Sequence, residues 1–366
     1  MDEPTLLPEP IPAAPVVEPP APPDHAVEAA TDAKPQGEPE PEEEPHRRRR
    51  KLVLLLLLIL IALVGLFGLW YAIYRKPASE FLPTLTQQIP PHYLYSIYGA
   101  TQPVGVAVTP DGSRVYVSES GGTSLVKVFD AKGAQLGVLK PPNDNKMHQP
   151  VYASIDPQTL EVYVTDRPTG SIYIYDASGK FVRSYTPADP IKNWQPIGMA
   201  FAPDGSLWVT DVSDPFHRVE QFDRQGALLR TIGTAGQLNF PNGVAVSAAG
   251  DLYVTDSNNG RLLVMDGQGR PLASIGRGTG EGMLGLPRGV AVDDAGRLYV
   301  VDTTGQTVHR YLTRPDGKPE PKFLDDLGSP GAGDGQFQYP NDVAVDTRGH
   351  VFIADRENNR VQVWGY

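Results

Sequence analysis

The chain has 366 residues and no cysteine. Disulfides, a lipidated cysteine anchor and thiol catalysis are thereby excluded, so an exported domain must be stabilised by its own core. Two common catalytic strings are missing as well: neither G-x-S-x-G nor H-E-x-x-H occurs. Basic residues are in deficit, with 32 Lys and Arg against 43 Asp and Glu overall, and 24 against 31 from residue 77 onward. A nucleic-acid partner needs a clustered positive field and is not expected. Residues 1–45 have few aromatic or β-branched side chains among runs such as PEPIPAAPVVEPPAPP and EPEPEEEP. Such a segment cannot bury enough apolar area to offset its ordering entropy, and residues 1–51 are expected to be a disordered tail ending in a basic stop.

Charge is also absent from 23 consecutive residues, LVLLLLLILIALVGLFGLWYAIY (52–74). As a helix this run is about 34 Å long, enough for one bilayer crossing. Trp70, Tyr71 and Tyr74 lie at its end, where amphipathic rings favour the headgroup region. A cleaved signal peptide has a shorter apolar core nearer the N-terminus, so the run reads as a signal anchor. Five basic residues (Arg47 to Lys51) precede it and two (Arg75, Lys76) follow. The expectation is a single-pass membrane protein with a cytoplasmic N-terminus, a short stalk over 75–91 and an extracytoplasmic domain over 92–366.

That domain repeats itself. Six segments align in phase: PVGVAVTPDGSRVYVSE (103–119), PVYASIDPQTLEVYVTD (150–166), PIGMAFAPDGSLWVTD (196–211), PNGVAVSAAGDLYVTD (241–256), PRGVAVDDAGRLYVVD (287–302) and PNDVAVDTRGHVFIAD (340–355). Their prolines are spaced by 47, 46, 45, 46 and 53 residues, a period that marks a propeller, solenoid or array. Within each period a short strand of small apolar residues is followed by a turn such as Pro110-Asp111-Gly112, then by an alternating aromatic and β-branched strand. A third strand and a more polar outer strand complete a four-stranded antiparallel blade. The sixth copy ends at VQVWGY, after its third strand, while HYLYSIYGATQP (92–103) matches the outer-strand pattern. The fold expected is all-β, a six-bladed propeller closed by its N-terminal strand.

The glycine-rich connectors at 276–287 and 328–340, each leading into P-x-x-V-A-V-D, resemble the NHL-repeat family, as does ADRENNRVQVW (354–364). GTAGQLNFP (233–241) is a shorter version, and blades 1 and 2 depart most. The resemblance covers residues 92–366 and implies a membrane-anchored NHL propeller of bacterial type. Propeller hydrolases of the lactonase type resemble the same pattern, which implies a channel cation such as Ca2+ held by Asn, Asp and Glu. Only blades 4 and 6 offer Asn after the proline (Asn242, and Asn341 beside Asp342); Val104, Val151, Ile197 and Arg288 stand there elsewhere. A related amidating lyase uses histidine-bound zinc, yet by strand phase only His148 and His217 lie on the loop face. GRGTGEG (276–282) lacks the strand-to-helix setting of a nucleotide fingerprint.

The six second-strand carboxylates, Glu119, Asp166, Asp211, Asp256, Asp302 and Asp355, are expected to be structural, each accepting backbone N–H bonds at a turn. The candidate binding residues are Trp194, Phe216, His217, Arg218, Asn242, Arg288, Asn341 and Asp342, on the face carrying the long loops 140–149, 187–195 and 212–218. For Trp194 the alternative is a connector plug equivalent to Phe240. No catalytic residue, metal or cofactor is assigned. The expected function is an extracytoplasmic binding scaffold for an envelope protein or a small ligand. A metal-dependent lactonase-type hydrolase and a sensory ectodomain are the alternatives.

Overall fold

The computed structural model describes residues 45–74, 89–122, 124–141, 149–187, 194–233, 236–278 and 280–366. The tail before residue 45, most of the expected stalk, His148, and the connector segments 142–148 and 188–193 lie outside them. One helix runs Pro45–Tyr74, so the basic run is helical together with the apolar one. Its stretch Arg50–Leu69 is long and apolar enough to cross a membrane, and none of it is buried. Helix and β-domain are separate compact units.

The β-domain consists, among the described residues, of six four-stranded antiparallel sheets and a short parallel pair, Ser329–Pro330 with Gln336–Phe337, in the connector before blade 6. Their inner strands are Pro103–Val108, Pro150–Ile155, Pro196–Phe201, Pro241–Val246, Pro287–Val292 and Pro340–Val345. Proline suits the first residue of a strand, where no ladder N–H is needed. The third residue is glycine in blades 1, 3, 4 and 5. A Cβ at Gly105 would stand 2.2 Å from the Val151 carbonyl oxygen, and one at Gly198 2.4 Å from that of Asn242. Adjacent inner strands therefore approach too closely for a side chain, which explains the P-x-G motif. Blades 2 and 6 place Tyr152 and Asp342 there instead.

Each inner strand starts beside the carboxylate that ends the second strand, as in Pro241 opposite Asp256. The second-to-third-strand loops and the interblade connectors thus share one face, the connector face. The tight turns occupy the other, the turn face. Six apolar clusters fill the six interfaces between neighbouring blades. Burial between blades, with alternate side chains facing opposite neighbours, holds the ring together.

The ring closes as expected. His92–Tyr98 pairs antiparallel with the last strand, Arg360–Gly365, with His92 opposite Gly365 and Tyr98 opposite Arg360. Ile97 is 1% exposed and shares a cluster with Val106, Val115, Phe352 and Val361. Tyr93 meets Trp364 edge-on at 6.2 Å. The chain therefore enters the propeller on the turn face, opposite the connectors.

Candidate functional site

The repeat carboxylates are clamps. Each accepts a backbone N–H from the connector that precedes its blade: Thr101 on Glu119, Gln149 on Asp166, Gln195 on Asp211, Asn239 on Asp256, Gly285 on Asp302 and Gln338 on Asp355. All six are buried. Blades 4 and 6 add an Asn and an Arg from the following loop: Asn259 and Arg261 hold Asp256 at 2.8 and 2.7 Å, and Asn358 and Arg360 hold Asp355 at 2.8 Å each. In blade 5 a histidine takes that place. His309 Nε2 lies 3.7 Å from Asp302, and Nδ1 bonds Asp326 at 2.5 Å. Burial opposes its charge, but the two carboxylates outweigh it and raise the imidazole to about 9.

The channel is not a through-passage. Tyr152, at the position held by glycine in other blades, crosses it and donates its hydroxyl to Asn242 Oδ1. Asn341 donates to the same hydroxyl at 3.4 Å and to the Val104 carbonyl oxygen. Asn242 and Asn341, candidate binding residues in the sequence, are both buried, and a phenol occupies the point on which they converge. Asp342 is also buried. It accepts the Val106 N–H at 2.9 Å and so ties blade 6 to blade 1. Burial pushes its carboxyl up to about 8, against the two backbone N–H bonds that favour the anion.

Tyr152 separates two wells. The turn-face well, about 330 Å³, is lined by the aliphatic ends of the inner strands together with Asp293, Asp294, Asp342 and Asp346. Two of the four are engaged by local bases: Arg297 bonds Asp293 at 2.6 Å and His350 bonds Asp346 at 2.8 Å. The connector-face well, about 200 Å³, includes Arg167, Arg288 and Arg356 in its lining. Arg288 was a sequence candidate. Arg167 and Arg356, each directly after a repeat carboxylate, were missed. The available signal was that blades 2 and 6 alone place arginine there.

The blade 3 candidates separate. Trp194 is 4% exposed and donates its indole N–H to Glu220 at 2.7 Å, so it packs inside the connector instead of standing beside the mouth. Burial first, then Asp211, raises the Glu220 carboxyl to about 7. The buried plug of the next connector is Leu238, while Phe240 lines the well with the Arg167 guanidinium 5.6 Å from its ring. Arg218 is committed to Asp211 and Glu220 at 2.9 and 2.8 Å. His217 Nδ1 accepts the Phe240 N–H at 3.0 Å. Phe216 remains 49% exposed, with the Arg218 guanidinium 5.7 Å from its ring. Among the described residues no three His, Asp or Glu side chains gather into a metal-sized cluster.

Fold and channel together define a six-bladed β-propeller plugged at its centre. It carries NHL repeats: the NHL repeat matches residues 238–265, 284–311 and 337–364, the first three strands of blades 4, 5 and 6. Blade 3 thus departs from the pattern along with blades 1 and 2. Human NHL repeat-containing protein 3 is 32% identical over 162 residues, covering 43% of this chain and 35% of its own length. Protein SUPPRESSOR OF QUENCHING 1 of Arabidopsis thaliana is 24% identical over 204 residues, covering 45% of this chain and 19% of its own. The chain thus spans well under half the length of these relatives. A streptogramin B lyase structure superposes with a TM-score of 0.55 at 16% identity, over 75% of this chain and 98% of that one, a likeness of fold.

Proposed function

We propose that the chain is a membrane-anchored, extracytoplasmic binding propeller that captures an envelope protein or a small ligand on its connector face. The observation that carries this reading is the pair of blind wells made by Tyr152. Of the four carboxylates lining the turn-face well, Asp293 and Asp346 are engaged by local bases and Asp342 by the Val106 N–H. The connector-face well presents three arginines from three blades over a closed polar floor. Binding sites on rigid scaffolds concentrate in loops of this kind, and arginine beside aromatic rings is a common anchor. The exposed Phe216 lies on the same face. Orientation rests on the five basic residues before the helix against two after it.

The test of location is protease added to intact cells. Cleavage in the 75–91 segment is expected to release the propeller and leave a protected fragment containing the tail and helix. A propeller protected in intact cells and cleaved only after permeabilisation contradicts the assignment.

A further inference from the structure

The three arginines at the connector-face mouth lack the partners that every other interior arginine of the propeller has. Arg310 pairs with Asp325, Arg297 with Asp293 and Arg360 with Asp355. The Arg288 side chain, by contrast, has no ion pair or hydrogen bond among the described residues, and its Nε is buried without a partner. The Nε of Arg356 is buried and unpartnered too, and among the described residues its guanidinium reaches only Glu357, at 3.6 Å on the rim. That contact is exposed and contributes little. Arg167 donates to a neutral partner, Gln195, at 3.1 Å. Buried donors are ordinarily satisfied, and cations sharing one small well raise each other's cost unless an anion joins them.

Nearby carboxylates do not supply that anion. Asp355, directly before Arg356, is taken by Gln338, Asn358, Arg360 and Gln362. Asp302, opposite Pro287 in the ladder, is taken by the connector and loop N–H groups and by His309. Asp342 lines the turn-face well on the other side of Tyr152 and accepts the Val106 N–H. The well, about 200 Å³, exceeds several times the roughly 30 Å³ share of one water molecule.

We infer that the connector-face well is a binding site for a small polyvalent oxyanion, a di- or tricarboxylate or a phosphate group, held by Arg167, Arg288 and Arg356. Guanidinium forks match both carboxylate and phosphate bidentately. Tyr152, Asn242 and Asn341 close the floor, so the ligand enters from the connector face only and presents its remainder to the loops. This deepens the binding reading, since it concerns the same well.

The test is calorimetric titration of the full-length chain in nonionic detergent at low salt with citrate and with inorganic phosphate, acetate serving as the monovalent comparison. Saturable one-to-one binding of citrate or phosphate is expected, and their order of affinity identifies the preferred group. Arg288→Gln is expected to weaken it at least about tenfold, the loss of one charged hydrogen-bonding partner. Arg288→Lys should fall between, keeping the charge without the fork, and Arg270→Gln on the outer edge of blade 4 should change nothing. Absence of saturable binding by either anion, acetate binding as tight as citrate, or undiminished affinity in Arg288→Gln each overturns the assignment. None of these outcomes touches the wider binding reading, because cross-linking from the connector face detects a partner whatever the charge of its ligand.

Discussion

A chain that begins at Ala100 is expected to unfold at a markedly lower temperature than one that begins at Ser79, although both contain all six repeats. The residues between them supply the outer strand of blade 6, paired along Arg360–Gly365. Removing it opens one edge of the sheet and uncovers Val361, Val363 and Phe352, which share the blade 6–blade 1 interface with Ile97. The point variant Ile97→Ala isolates the packing part: a fully buried aliphatic residue costs about 2–5 kcal/mol when truncated. In a domain of this size that corresponds to roughly 5–15 °C in the unfolding midpoint. Leu94, on the same strand and 39% exposed, is the control, with Leu94→Ala expected to shift it by far less. Equal midpoints for the two chain lengths would falsify the closure.

The second large effect is expected of the carboxylate clamps. Asp256→Ala leaves the Asn239 N–H, Asn259 and Arg261 without their acceptor. Breaking a buried charge network by removing one partner costs about 3–5 kcal/mol. Asp256→Asn keeps an acceptor and should cost less; Asp266→Ala, whose bonds from Gln268 and Arg270 stay within one turn and tie no connector to a blade, should also cost less than Asp256→Ala. Denaturant midpoints decide this, and near-equal midpoints for Asp256→Ala and Asp266→Ala would contradict the clamp. Blade 5 adds a pH signature. His309 is raised from its ordinary 6.5 to about 9, so its contribution is complete below pH 6.5 and lost as pH rises through 9. Wild type should therefore lose more stability than His309→Gln between pH 6 and 9.5.

The ring could be read in the sequence because six copies agree in phase and the missing outer strand has a visible substitute at residues 92–98. The clamps were read as structural, and repetition in every blade is what made that legible. Their partners were not, since each N–H comes from the connector 16 to 18 residues earlier, a closure that only the interblade geometry sets. The channel plug was written in plain view: Tyr152 and Asp342 replace the glycine of the P-x-G motif, and a side chain at that position has nowhere to go except the channel. The arginine mouth was harder to see. Arg167 and Arg356 share one repeat position in blades 2 and 6, Arg288 holds another in blade 5, and the ring alone brings the three together. Trp194 was ambiguous because an aromatic residue beside a repeat proline fits a plug or a contact equally well; the buried acceptor Glu220, 26 residues later, decides for the plug.

The central claim, that the propeller works by binding on its connector face outside the membrane, is tested most directly by photo-cross-linking in intact cells from the two ends of one inner strand. A photoreactive side chain at Gln149 lies at the connector-face well and one at Pro157 at the turn-face well, with Pro150–Ile155 between them. Discrete adducts from Gln149 and none from Pro157 are the predicted result, with Gln149 adducts diminished by Arg288→Gln. Adducts from Pro157 alone would contradict the account.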